Sequence, residues 1–467
     1  MVGASGAEST GGLLLSATGR ELLGRLAGED VSPERALALS ASLRAEYPAE
    51  LVAAALTQQA LRVAARAKFA LADRMLFTRA GLEQASSELT ARHAAGRFAG
   101  SRLVADLCCG IGGNLVALAA PGSAAARAAG GAGGSAASGA GGKAAGSAGG
   151  SAGGLPRIVD DSRTMTRKVI HDHERYVVGI DADPLSVVFA RHNVSVCAPG
   201  ARVAVVRADV TELPPGGFDA VFVDPARRDG QRRLGAGQYR PPLPWCLRLT
   251  GQVPRVGIKA APGIRRELVP AGWETEFVAV GRELKEALLW SPELAAGGVT
   301  RRATILPAGH TLTAPAAAAG RISVPLAAPG SYLLDPSPAV TRAGLVAELA
   351  DRLGAWQIDP MIAFLSSDEP LRTPFARTLR VLESAPWHEK RFARRLRELG
   401  IGSADIRRRG LAGDIARIHR RLGLAGPGAA TLVLTRVNDR PWGLICDPLP
   451  TEAGDGGRAD AGGSPPG

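Results

Sequence analysis

Four aspartates are the residues best suited to chemistry, each standing where a run of β-branched and small apolar residues ends. They are Asp106 in SRLVADLCCGIGGN, Asp181 in YVVGID, Asp209 in ARVAVVRAD and Asp224 in FDAVFVDPARR. Asp106 precedes a loop with Gly110, Gly112 and Gly113, after which a helix is expected to open near Asn114. Glycines in such a turn let a ligand approach backbone N–H groups at a helix N-terminus. A carboxylate immediately upstream is a poor neighbour for a pyrophosphate and a good one for a ligand carrying an ammonium group.

Asp181 closes the next strand, where an acidic residue accepts hydrogen bonds from ribose hydroxyls. It lies 75 residues from Asp106; residues 122–176 account for 55 of these, leaving 20. That remainder matches the spacing of about 20 residues expected for one strand–helix–strand unit. Asp183 competes for the role, although Pro184 beside it marks a helix start. Asp209 is placed to meet the exocyclic amine of adenine. Asp224 and Pro225 fall at the carboxyl edge of the sheet, where open parallel sheets bind ligands, so Asp224 is the candidate to accept a hydrogen bond from an attacking amine. Arg227 and Arg228 follow as candidates to hold an acceptor phosphate or carboxylate.

These positions require strands that alternate with helices. YVVGID, ARVAVVRAD, FDAVFVDP, PRVGIKA and TEFVAV predict an α/β fold with a largely parallel sheet covered on both faces. Ser32-Pro33 starts a helix that runs to about Tyr47, and a second follows Pro48, with Arg62 and Arg66 on one face. Residues 122–154 are Gly, Ala and Ser except for Arg127 and Lys143, a composition that builds no core. Residues 155–176 continue the insertion; His171 and His173 lie there with no third ligand, so no metal site is expected. The divisions read as a helical region at 1–98, a ligand-binding domain at 99–294 with its insertion at 122–176, a smaller α+β domain at 295–450, and a disordered tail at 451–467. Basic helices are expected near residues 386–421.

The chain has 467 residues with 46% hydrophobic and 21% charged, which excludes global disorder. A formal charge of +12 favours polyanionic partners, although only six of the 56 basic residues are Lys, an Arg bias that a GC-rich genome also produces. Five scattered cysteines form no C-x-x-C pair, so reduced thiols and a cytoplasmic location are expected, and no apolar run reaches the roughly 18 residues needed for a membrane span.

Taken together, DLCCGIGGN, VGIDADP and AD followed by VDPARR resemble class I S-adenosylmethionine-dependent methyltransferases over about residues 70–290. The glycine loop is similar to the C-G-x-G-G-N loop of trimethylguanosine synthase-like enzymes. The resemblance implies a seven-stranded Rossmann-like sheet and S-adenosylmethionine as cofactor. The implied cofactor set is Phe77 and Thr78 in MLFTRAGLEQAS, Asp106, Cys108, Gly110, Gly112, Asn114, Asp181 and Asp209, with Asp224 and Pro225 at the reaction centre.

SYLLDPSPAV and WHEKRFARRLRELGIGSADIRRRG resemble a THUMP-like domain, which implies RNA as partner, with Arg407, Arg408 and Arg409 as substrate contacts. Ala226 and Arg227 stand where amino-methylating relatives carry proline and an aromatic residue. An amino nitrogen of an RNA base is the favoured acceptor. A non-RNA acceptor, a non-catalytic RNA-binding protein and a nicotinamide-dependent oxidoreductase are the alternatives. Cys246 and Cys446 fall in no motif for carbon methylation, which requires a cysteine nucleophile.

Overall fold

The computed structural model describes residues 10–120, 175–213, 216–226, 228–229, 232–233, 239–315, 322–411 and 413–448. The Gly/Ala/Ser insertion, His171, His173, Arg227 and the tail lie outside them. The chain divides into two compact units, Met1–Ala316 and Ala317–Gly467.

The first unit opens with α1 (Ala17–Arg25), α2 (Pro33–Leu43), α3 (Ala49–Ala65), α4 (Arg79–Gln84) and α5 (Glu88–Gly96). Ser16 caps α1 by accepting from the Gly19 N–H at 2.9 Å, which satisfies one of the donors that a helix start leaves free. Arg62, on the same face of α3 as Arg66, is not open to solvent. It is 7% exposed and its Nε donates to the Met75 carbonyl at 2.9 Å, whereas Arg66 pairs with Asp73 on the surface. A core of Leu22, Leu51, Val52, Phe69 and Phe77 gathers this helical region against Ile111 and Phe189 of the α/β part.

The α/β part runs β1 (Leu103–Leu107), α6 (Gly113–Ala119), β2 (Tyr176–Asp181), α7 (Pro184–Cys197), β3 (Arg202–Arg207), β4 (Ala220–Val223), α8 (Leu243–Arg248), β5 (Arg255–Ala260), β6 (Glu274–Val280), β7 (Glu283–Trp290), β8 (Val299–Leu306) and β9 (His310–Pro315). Spatial order is β9-β8-β6-β7-β5-β4-β1-β2-β3. Strands β1 to β5 are mutually parallel, and β7 enters antiparallel between β5 and β6. The chain steps outward from β1 to β3, then returns to β4 on the other side of β1. That reversal creates a crevice at the carboxyl ends of β1 and β4, where doubly wound sheets hold ligands. All four residues of β4 are buried, because layers cover both faces.

The expected seven strands are present, extended by the β8–β9 hairpin. β8 pairs in parallel with β6 from Arg301↔Thr275 to Leu306↔Val280, so the first unit runs on to Ala316 and the boundary expected at 294 is displaced. The Pro-, Ala- and Gly-rich text after residue 290 hid a strand whose partner lies far back in the chain. On β6, Glu274 and Glu276 are fully buried; Arg97 and Arg302 engage Glu274, while His93, Trp290 and Thr304 engage Glu276. Burial alone would raise the Glu276 carboxyl, but His93 and Arg97 outweigh it and hold the group far below the usual range.

The second unit contains β10 (Tyr332–Pro336), α9 (Pro338–Ala343), α10 (Val346–Leu353), β11 (Trp356–Gln357), β12 (Leu365–Ser367), β13 (Ala376–Pro386), α11 (Glu389–Glu398), β14 (Ile401–Arg408), α12 (Ile415–Leu422), β15 (Gly428–Val437) and β16 (Arg440–Pro448). Its sheet order is β11-β12-β10-β13-β16-β15-β14. The expected basic helical run is therefore two helices with an edge strand between them. Leu396, Ile418, Leu422, Leu432 and Ile445 form the core beneath those helices.

Candidate active site

Three of the four aspartates converge because the strand registers align their ends. Asp106 lies opposite Gly179 of β2 and Phe222 of β4, so Asp181 and Asp224, each two residues further on, close the neighbouring strands at the same rim. Leu107 then leads into the turn. Cys108 adopts φ 61° and Gly112 φ 89°, both in the left-handed region, and Gly112 caps α6 against Ala190 of α7. A side chain at 112 would be strained at that φ.

Asp106 is fully buried, and neither carboxylate oxygen has a hydrogen-bond partner among the described residues. Burial, reinforced by Asp224 and Asp181, pushes its carboxyl well above the usual range, against the opposing pull of Lys259. An orphaned buried carboxylate costs free energy unless a cation or donor meets it. Asp181 differs. Its Oδ2 accepts from Gly110 N–H at 2.8 Å and its Oδ1 from Asp183 N–H at 2.9 Å, so the acidic end of β2 also ties down the glycine loop. Burial raises its carboxyl, and those backbone donors work against the shift. Asp183 caps α7, its Oδ2 accepting from Ser186 N–H at 2.8 Å. Asp209 is exposed and folded onto Thr211, whose hydroxyl and N–H hold the carboxyl below its usual range.

Asp224 follows β4, its N–H donating to the Leu107 carbonyl at 3.1 Å, and Pro225 is buried behind it. Its Oδ2 accepts from Lys259 Nζ at 2.8 Å and from Asn114 Nδ2 at 3.0 Å. Asn114, expected to face the cofactor, donates through its Nδ2 to Asp224. Little in the sequence marks Lys259, whose only signal is a charged residue in the apolar interior of RVGIKA. Phe77 is 1% exposed, packs on Phe69 with ring centroids 5.8 Å apart, and has its backbone bonded to Gln58. Its side chain packs into the helical core. Thr78 caps α4 through Gly81, and a Cβ on Gly81 would stand 2.5 Å from Ile111 of the glycine loop, so α4 rests directly on that loop.

Cys246 is fully buried, donates to the Pro241 carbonyl at 3.8 Å, and burial pushes its thiol up to about 12. Such a thiol carries almost no thiolate at neutral pH. Cys108, at the rim, is held higher still by burial and the nearby aspartates. Among the described residues, no cluster of three or more His, Cys, Asp or Glu is arranged to hold a metal ion, and no helix is long and apolar enough to cross a membrane. Arg227 lies outside the described residues, and Arg228 is placed only by its backbone, in a short ladder with Arg233.

In the second unit, Arg409 donates to Asp335 at 2.8 Å and covers the Phe364 ring at 4.8 Å. Arg407 bonds Asp405 at 2.9 Å, and Arg408 reaches the Gly413 carbonyl. This run is largely committed to its own domain.

A seven-stranded core of this order, with an acidic residue before a glycine loop and another closing the next strand, defines a class I methyltransferase fold. An S-adenosylmethionine-dependent methyltransferase of Mycobacterium tuberculosis, uncharacterised and found in strains CDC 1551 and H37Rv, is 36% identical over 370 residues, covering 78% of this chain and 85% of the relative. This chain belongs to the S-adenosylmethionine-dependent methyltransferases. A solved structure from Porphyromonas gingivalis W83, itself assigned to methyltransferases, shares the fold with a TM-score of 0.64 at 20% identity, covering 89% of this chain and 99% of that one. Residues 376–448 match the THUMP domain-like family, and residues 12–65 match a domain of unknown function, DUF8688.

Proposed function

We propose that this enzyme methylates RNA, at an amino nitrogen of a base, with Asp224 engaging the acceptor. S-adenosylmethionine supplies a methyl group already activated on sulfonium, so the chain's own part is proximity and alignment. The residues present suit that cofactor. Asp106 offers a buried carboxylate in want of a cation, Asp181 and Asp209 offer acceptors for ribose and adenine, and Gly110 and Gly112 keep the loop low enough for close approach. Asp224 Oδ2 is occupied by Lys259 and Asn114, while no bond to Oδ1 is found among the described residues. That free oxygen, on a side chain 22% exposed at the switch-point crevice, is the observation that carries the reading. It would accept the amine proton that must leave as the methyl arrives.

The test is to incubate the protein with methyl-labelled S-adenosylmethionine and total RNA from a strain lacking the gene, then to digest the RNA to nucleosides. A base-methylated nucleoside is expected. Label in ribose, or in protein and not in RNA, overturns the acceptor assignment. A Cys246→Ser variant should keep at least half of the wild-type rate, since a buried protonated thiol contributes no nucleophile; a rate below one-tenth would bring carbon methylation back.

The THUMP-like module supports RNA as partner, and its charge supports where contact falls. From His388 to Arg421 there are eleven Lys or Arg against four acids. With Arg407 and Arg409 paired to Asp405 and Asp335, phosphate contact shifts to exposed Arg417 and Arg420 on α12. Changing both to Glu should reduce the slope of log affinity against log salt by about 0.7 for each lost phosphate contact on single-stranded RNA. An unchanged slope, read by filter binding across a salt series, would remove α12 from the interface. By contrast Arg409→Glu would set two carboxylates against each other and is expected to destabilise the domain before it informs on RNA.

A further inference from the structure

We infer that Lys259 is a positioning residue of the transfer site, holding the Asp224 carboxylate in the one orientation that turns Oδ1 toward the acceptor. The inference rests on the assignment of Asp224 above. Lys259 sits on β5, 6% exposed, and its Nζ spans two groups: Asp224 Oδ2 at 2.8 Å and the Gln84 carbonyl at 3.1 Å. A carboxylate at a strand end has a soft, roughly two-fold terminal torsion, so without fixed partners it swings. Lys259 from β5 and Asn114 from α6 approach the same oxygen from two different elements. Their agreement on Oδ2 leaves Oδ1 as the face presented outward.

The surroundings show that the lysine is built in. Lys259 stands opposite Leu288 in the antiparallel β5–β7 ladder, so Glu286, two residues away on the same strand, lies on the same face as its diagonal neighbour. Glu286 is 4% exposed and accepts from Ser86 at 2.9 Å. Beneath them Lys68 donates to the carbonyls of Leu82 and Ala85 at 2.7 and 3.1 Å. Residues 82–86 are thus clasped by Lys68, Lys259 and Glu286, and the loop that leads out of α4 is registered against the acceptor carboxylate. A buried ammonium is costly unless its partners are fixed, which is the arrangement seen here.

The assay is transfer of labelled methyl from S-adenosylmethionine to RNA from the deletion strain, beside calorimetric binding of S-adenosylhomocysteine and thermal melting. Lys259→Gln, a neutral donor still able to cap Gln84, should lower kcat about 100-fold, the scale of loss for an ångström-level misplacement, with product affinity within threefold of wild type. Lys259→Arg, which keeps charge and donors, should recover at least a tenth of the wild-type kcat. In an Asp224→Asn background Lys259→Gln should cost less than a further threefold, because the two residues act as one unit. A crystal structure of Lys259→Gln should show the Asp224 carboxylate rotated away from Asn114. Wild-type kcat in Lys259→Gln, or losses that multiply in the double variant, overturns the inference while leaving Asp224 in place. Full activity of Asp224→Asn alone overturns the assignment of Asp224 beneath it. A melt lowered equally in the Gln and Arg variants, with kcat lost equally in both, would make Lys259 a purely structural cap.

Discussion

Replacing Asp106 by Asn is expected to weaken binding of S-adenosylmethionine and S-adenosylhomocysteine by about 10- to 100-fold while raising the melting temperature of the ligand-free protein. The two effects share one cause. In the free fold the carboxylate is fully buried with neither oxygen hydrogen-bonded among the described residues, so its ionised form carries a desolvation cost. When a ligand ammonium meets it, a charged hydrogen bond worth about 1.5–3 kcal/mol forms in a dry site. The amide relieves the first condition and loses the second. Because the folded carboxyl is raised above its unfolded value, its contribution to stability is fully present below the usual carboxylate range and is lost as pH rises through the raised value. The melting temperature of wild type should therefore fall over that window relative to Asp106→Asn. Within that same pH window ligand binding, which favours the ionised form, should release protons, visible as a binding enthalpy that depends on the buffer. Asp181→Ala makes the contrast, since Asp181 holds Gly110 N–H: it should lose affinity and also some stability. Unchanged affinity in both variants would sink the assignment of this rim to the cofactor.

Asp224→Asn should lower single-turnover methyl transfer by about 100- to 10,000-fold, the usual worth of a positioned proton acceptor, and leave S-adenosylhomocysteine affinity within threefold. Asn is chosen over Ala for a structural reason. Lys259 would face an empty space in Asp224→Ala, and removing one partner of a buried pair costs about 3–5 kcal/mol, which would confound the rate with loss of fold. The amide keeps an oxygen for Lys259 and removes the negative charge. Rapid-quench measurement with labelled cofactor reads the rate, and calorimetry reads the affinity. Equal loss of both would move Asp224 into the cofactor site. Retention of both would leave the crevice without a proton acceptor and end the proposed role.

Local pattern along the chain is enough to place several elements. Asp106, Asp181 and Asp224 were found because each terminates a β-branched run, and the 75-residue gap between the first two became an ordinary unit once its compositionally distinct insertion was set aside. Gly112 was legible because a left-handed φ at a strand-to-helix turn favours glycine. The remaining features depend on partners remote in the chain. Lys259 lies 35 residues from Asp224, and Arg409 lies 74 from Asp335. Arg62 reads as a surface residue until Met75 folds back over it, and nothing in the letters around Phe77 shows that its ring packs into the helical core. The β8 strand is unremarkable text that acquires meaning only beside β6. Periodicity and turn chemistry act over a few residues and leave their mark on neighbouring letters. Pairing across a sheet is chosen by burial and register among segments that loop closure brings together, and no short window of sequence contains both members of such a pair.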